Sequence, residues 1–460
     1  MKAEDGNTAA EYLRGAERAA GDLPGIPDVG DWRPTSAAVV GAGTMGGGIA
    51  TAFANAGIPV TLIDRTPEDI KRGYDSIRRN YAASVQRGRV DHSDADARLA
   101  RISTSTELTS VAGADVVIEA VFEEMATKQA IFAELGRHAR SDAVLGTNTS
   151  TLDIDQIASA TKRPEIVIGS HFFSPANVMR LLEVVPGAKT DAKTVARLMA
   201  LGRSLGKVAV RSGNRHGFIG NAMLLDYLRQ AMFLVEEGAL PADVDRVLQG
   251  FGMAMGPFVM TDMAGHDLAV DSKRRALTTR PTDRRWSDLE LFLVDRGRLG
   301  QKSGAGWYRY EPNTRRPLPD PDFDADIVGY SKGLGLERRR ISDEEILHRC
   351  LYALVNRAAH LLGEGTAEKP GDIDVVYTSG YGFPASTGGP LYWADTIGPG
   401  RVLSEVERFA RDDPYWWQPA PLLIEIAQSG STFGCLGSVT PSTGVSPNPQ
   451  PTTTIEETRP

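Results

Sequence analysis

Cysteine is nearly absent from this chain: Cys350 and Cys435 are its only two in 460 residues. That excludes a disulfide framework and fits a reducing compartment. No apolar run approaches the roughly 18–20 residues that a membrane span needs, so no membrane partner is expected. A basic excess is missing too. The net charge is −8, and the clusters Lys273-Arg-Arg275, Arg284-Arg285 and Arg338-Arg-Arg340 are short enough to read as solvated surface. Nucleic acid is therefore not the expected partner, and no metal site is expected. The N-terminus carries acids and lacks the basic-then-apolar order of a signal peptide. The final residues, Glu457-Thr-Arg-Pro460, do not form a peroxisomal address. Cytoplasm is the resulting expectation.

What is present suits a multidomain globular protein. Hydrophobic residues make up 41%, and the length predicts two to four domains. Residues 1–35 pair a short amphipathic stretch, Tyr12 to Ala20, with the breaker-rich Gly21-Asp-Leu-Pro-Gly-Ile-Pro-Asp28, and read as a linker-like extension. From Ala37 strands and helices alternate, which predicts an α/β domain over 36–213 with a parallel, doubly wound sheet. After Gly217 apolar residues recur at helical spacing, predicting an all-α region. A linker is expected at 312–340 and a disordered, Ser/Thr/Pro-rich tail at 431–460.

The helical part contains an internal repeat. Glu237-Gly238, Asp245, Gly250-Phe-Gly252, Gly256-Pro257, Asp262 and Gly265 recur as Glu364-Gly365, Asp374, Gly380-Tyr-Gly382, Gly389-Pro390, Asp395 and Gly398. The offset drifts only from 127 to 133. Two tandem helical domains, 214–311 and 341–430, are the reading.

Within the α/β part, Gly41-Ala42-Gly43-Thr44-Met45-Gly46 joins an apolar strand to a Gly/Ala-rich helix. Gly41 suits the tight turn, Gly43 close approach of backbone to a pyrophosphate, and Gly46 helix–strand packing; the helix N-terminus faces the anion. A second strand ends at Asp64, eighteen residues past the third glycine. An acid there accepts ribose hydroxyls and repels a 2′-phosphate, so NAD is the expected cofactor. Arg65 beside it weakens that preference.

His171 precedes Glu183 by twelve residues in a segment that otherwise reads as buried strand. An imidazole, with an ordinary pKa of about 6.5, is a suitable general base, and a carboxylate can fix its tautomer. A strand-end histidine with an unrelated glutamate is the plain alternative. Ser150 follows a strand in Thr147-Asn148-Thr149-Ser150, and Asn221 opens the first long helix. Both suit hydrogen bonding to a substrate oxygen, and both also suit helix capping.

Together with Glu119-Ala120-Val-Phe-Glu123, His171-Phe-Phe-Ser-Pro-Ala, Leu182-Glu183-Val and Gly217-Phe-Ile-Gly-Asn221, these motifs resemble the L-3-hydroxyacyl-CoA dehydrogenases over about residues 36–430. The resemblance implies a Rossmann domain followed by two helical domains of the family's C-terminal type. It implies reversible NAD-dependent oxidation of an (S)-3-hydroxyacyl-CoA, with His171 as base, Glu183 its partner, and Ser150 and Asn221 substrate contacts. Glu119, Ala120, Glu123, Lys128 and Asn148 then belong to the cofactor side, and Arg87 reaches toward CoA. The tandem helical domains and Gly300-Gln-Lys-Ser-Gly-Ala-Gly-Trp-Tyr308 are similar to the dehydrogenase half of multifunctional fatty-acid oxidation enzymes. The opening segment there resembles the linker after a hydratase domain, so no hydratase activity is expected. A monomer or a homodimer fits, as does a separate enoyl-CoA hydratase or thiolase partner.

Two departures stand out. Ala222 follows Asn221 where the family usually has arginine, and Arg215-His216 replaces a small or apolar pair. They leave two alternatives open: a dehydrogenase of a free 3-hydroxy acid, or a catalytically silent NAD-binding protein.

Overall fold

The computed structural model describes residues 3–267, 270, 273–274, 277–312 and 314–437. Eight strands form one sheet: β1 Ala37–Val40, β2 Val60–Ile63, β3 Ile102–Ser105, β4 Val116–Glu119, β5 Val144–Thr147, β6 Val167–Phe172, β7 Leu181–Pro186 and β8 Val208–Arg211. Their order is β3-β2-β1-β4-β5-β6-β7-β8. The strands from β3 to β6 are parallel, as expected for a doubly wound sheet, and the central ones are buried apolar runs. β7 differs from the all-parallel expectation. It runs antiparallel to β6 and carries β8 parallel to itself. The eight residues between β6 and β7 are too few for a helical crossover, so the chain turns back directly.

The helical part centres on two long helices, Gly220–Glu237 and Asp343–Gly363, which share one apolar core. The sequence repeat has a counterpart in hydrogen bonding. Buried Asp245 accepts from the N–H groups of Phe258 and Val259, both at 3.0 Å, where the helix Pro257–Ala264 begins. Asp374 does the same for Leu391 (2.7 Å) and Tyr392 (3.1 Å) at the start of Pro390–Ile397. The carboxyl oxygens there satisfy N–H groups that the first turn of a helix leaves without partners. The preceding Gly256 and Gly389 are required, because a Cβ at either would overlap the aspartate side chain. Asp262 and Asp395 likewise each accept two later backbone N–H groups, from Trp307 and Tyr308, and from Phe433 and Gly434.

Three segments expected to be linker or tail are folded. Residues Ala3–Ala19 form a helix whose buried Ala9, Leu13 and Ala16 lie at helical spacing on one face. It packs on the helix Pro370–Gly380: Tyr12 donates to Asp374 at 2.7 Å, and Lys369 caps the Ala19 and Asp22 carbonyls. Tyr12 thus gives Asp374 the bond that Tyr308 gives Asp245 (2.8 Å) in the first copy. Within the expected linker 312–340, Pro321–Gly333 is a helix burying Phe323 and Ile327 in the shared core. In the expected tail, Phe433 is fully buried; the rest of that expectation, residues 438–460, lies outside the described residues. Composition hid these segments because each gains its core contacts from distant chain.

Candidate active site

The dinucleotide loop sits where β1 meets the helix Thr44–Asn55. Gly41 has φ +107°, and a Cβ there would lie 2.6 Å from the Ala120 carbonyl oxygen; one at Gly46 would overlap the oxygen of Gly41. An added Cβ at Gly43 meets nothing within 4 Å. Two glycines are thus spent on packing and the third faces open space, as a backbone approached by phosphate requires. Gly43 and Thr44 are exposed, Met45 is partly buried, and no side chain caps the helix N-terminus. Asp64, just past β2, accepts from the Ala42 N–H at 2.6 Å and from the Arg65 N–H at 2.7 Å. Its carboxylate is thereby fixed beside the loop, while the Arg65 side chain is exposed. The cradle fits a dinucleotide with free ribose hydroxyls.

Across the next strands lies a buried ionic cluster. Glu119 ends β4 with no exposure and accepts from Lys128 Nζ (2.7 Å), Thr147 Oγ1 (2.7 Å) and the Val121 N–H (2.8 Å). Lys128, equally buried, also meets Glu123 at 3.4 Å. Glu119 and Lys128, both expected on the cofactor side, present no surface here, and together they anchor Glu123. That residue accepts from Thr149 Oγ1 (2.6 Å) and from Ser150 through its N–H (2.8 Å) and Oγ (3.1 Å). Asn148 bridges strands, with Oδ1 accepting from the Phe172 N–H at 2.9 Å. Ala120 is partly exposed beside Gly41.

The β6–β7 reversal explains the twelve-residue spacing. In that antiparallel register His171 and Glu183 are direct cross-strand partners. His171 Nδ1 lies 2.7 Å from Glu183 Oε2. The other oxygen, Oε1, accepts from the N–H groups of Ile219 (3.1 Å) and Gly220 (3.0 Å). A carboxylate bound by two backbone donors stays an acceptor toward Nδ1–H, which leaves Nε2 as the ring's acceptor. Phe173 and Phe218 flank the imidazole at centroid distances of 4.4 and 5.7 Å.

Ser150 and Asn221 are brought together: Asn221 Nδ2 donates to the Ser150 carbonyl at 3.4 Å. Sequence reasoning missed Tyr381, whose hydroxyl donates to Asn221 Oδ1 at 2.8 Å from the second helical repeat. The available signal lay in that repeat, where Tyr381 aligns with Phe251 and only the former has a hydroxyl. Ala222 is buried in the first helical turn rather than lining a cleft, whereas Arg215 and His216 are exposed. Arg87 caps the far, exposed end of the helix Pro67–Gln86, about 30 Å along its axis at 1.5 Å per residue. Among the described residues no group of three or more His, Cys, Asp or Glu could hold a metal ion, and no helix is long and apolar enough to cross a membrane.

Known proteins resemble this chain over most of its length. Residues 36–215 match the family described as 3-hydroxyacyl-CoA dehydrogenase, NAD binding domain, and 217–310 and 346–432 each match its C-terminal domain. A peroxisomal bifunctional enzyme of Homo sapiens is 41% identical over 446 residues, covering 92% of this chain and 61% of that protein. The 3-hydroxybutyryl-CoA dehydrogenase of Escherichia coli superposes with a TM-score of 0.73 at 28% identity, over 87% of this chain and 100% of that one. The dehydrogenase part of multifunctional enzyme 1 from C. elegans gives 0.65 at 26% identity, over 91% and 98%. The chain spans about three-fifths of the length of the curated relatives it matches. Those relatives are named peroxisomal or glyoxysomal, which overturns the cytoplasmic expectation. Low cysteine usage fits any reducing compartment, and a receptor-read address leaves no mark on composition. The chain belongs to the 3-hydroxyacyl-CoA dehydrogenase family, with NAD as its cofactor.

Proposed function

We propose that this chain oxidises an (S)-3-hydroxyacyl-CoA reversibly to the 3-ketoacyl-CoA, with His171 as general base. The paired His171 and Glu183, 2.7 Å apart at the turn of the sheet, carry the reading. Bound on the Gly41–Gly46 loop, NAD supplies the acceptor for the hydride from C3. His171 takes the hydroxyl proton at Nε2, so that the C–O bond becomes a carbonyl as the C3 hydride departs. Glu183 stabilises the imidazolium formed, and Glu119 with Lys128 behind Glu123 holds the Ser150 loop. Ser150 and Asn221 orient the substrate oxygens by hydrogen bonding. Tyr381 already completes the site from within the same chain, which supports a monomer as the working unit. A hydratase acting before this step and a thiolase after it are the partners that the chemistry calls for.

NADH formation across a panel of 3-hydroxyacyl-CoA lengths, with the matching free acids as comparison, tests the proposal. Substitution His171→Gln should lower kcat by roughly 10² to 10⁴ with NAD binding retained. Turnover of free acids alone would replace the CoA reading; no turnover despite NAD binding would leave a silent binding protein.

A further inference from the structure

Asn221 stands at the start of a helix, where its side-chain amide has two possible orientations. One presents the NH2 group toward Ser150 and the substrate, and the other presents the carbonyl. The Ser150 carbonyl, which can only accept, selects the first, and the second helical repeat holds it in place. Tyr381 donates to Asn221 Oδ1 at 2.8 Å and so occupies the acceptor, leaving Nδ2 directed at the Ser150 carbonyl at 3.4 Å.

The ring is held as firmly as its hydroxyl. It stacks on Tyr377 at 4.9 Å and meets Phe173 edge-on at 5.3 Å, and Phe173 in turn lies 4.4 Å from the His171 ring. Gly220 makes the approach possible, since a Cβ there would overlap the Tyr381 ring. Burial, with the nearby Glu183 charge, pushes the Tyr381 hydroxyl well above the ordinary phenol range, so it remains a donor at any working pH. The aligned residue of the first repeat, Phe251, has no hydroxyl, and it packs on Phe383 and Trp393 instead. Of the two equivalent positions, the hydroxyl is therefore found at the one that faces Asn221 and not at the one packed on Phe383 and Trp393.

We propose that Tyr381 is a positioning residue that locks the Asn221 amide in its donor orientation toward the substrate, making the second helical repeat part of the catalytic apparatus. The inference rests on the dehydrogenase reading above. Its test is a double-mutant cycle on the full chain with Tyr381→Phe and Asn221→Ala, assayed by NADH formation from a 3-hydroxyacyl-CoA. Tyr381→Phe should lower kcat about tenfold, the worth of one well-placed hydrogen bond. Its melting temperature and NADH affinity should stay at wild-type values. In the Asn221→Ala background the same change should cost nothing further, because no amide remains to be oriented. A merely structural tyrosine would lower the rate by the same factor in both backgrounds, and that result overturns the proposal. So does wild-type kcat in either single variant. A wild-type chain that turns over no 3-hydroxyacyl-CoA would instead end the functional reading itself, and this inference with it.

Discussion

Replacing Glu183 by glutamine removes one charge and keeps nearly the same shape, so it isolates what the carboxylate does. Both its oxygens accept: one from His171 Nδ1, the other from the Ile219 and Gly220 N–H groups. Glutamine has a single acceptor oxygen. If its NH2 faces the Ile219–Gly220 turn, a donor confronts two donors. If it faces the imidazole, Nδ1 must become the acceptor, and the proton moves to Nε2, the atom that has to take up the substrate proton. In both cases the imidazolium loses a counter-charge whose centre lies about 4 Å away, worth about 4 kcal/mol at an effective dielectric constant of 20. That corresponds to a fall in kcat of about 10³. The assay is steady-state NADH formation, with NADH affinity measured by fluorescence titration on the same preparation. Unchanged NADH affinity with the thousandfold loss supports the argument; a loss under tenfold in a folded variant refutes it.

Gly46→Ala should abolish measurable NAD binding and lower the melting temperature, because the new methyl overlaps the Gly41 carbonyl; wild-type titration by NADH would show the loop to be looser than described. Lys128→Met leaves Glu119 charged and unpaired with no exposure, and should cost about 3–5 kcal/mol in denaturant unfolding. A change under about 1 kcal/mol would mean that Thr147 and the Val121 N–H suffice for Glu119. Burial raises the Asp374 carboxyl to about 8 from an ordinary 3.8. The folded chain therefore holds a proton that the unfolded chain releases, and this stabilisation, complete below pH 3.8, is lost as pH rises through about 8. Thermal melts from pH 5 to 8 should show a flatter pH dependence for Asp374→Asn than for wild type, whatever the variant's absolute stability.

The sequence made the α/β part legible because its signals are local. Glycines at 41, 43 and 46, the strand ending at Asp64, and the spacing from His171 to Glu183 each lie within one supersecondary unit. The reversal at β7 was not legible, since a buried strand reads the same in either direction, although the spacing it produces was. Strand β3 is not legible from pattern, because Ile102–Ser105 is mostly polar and pairs on one side, at the sheet edge. The burial of Glu119 and Lys128 was not legible, because a charged pair beside a dinucleotide loop does not reveal which way it faces. Tyr381 lies 160 residues from Asn221, and no periodicity links them.

Tyr12 and Asp374 are 362 residues apart, while Tyr308 reaches Asp245 from 63. At a synthesis rate of about 5–20 residues per second, the Asp374 carboxyl follows Tyr12 out of the ribosome by roughly 20–70 seconds. Throughout that interval the apolar face formed by Ala9, Leu13 and Ala16 has no surface to cover it. The same distant pairing ties the helix Ala3–Ala19 to the second repeat, so that repeat completes its packing only after both are made. The helix carrying Asp374 leads directly into Tyr381. Because Tyr381 follows the helix that Tyr12 braces, activity reports whether this long-range pairing has formed.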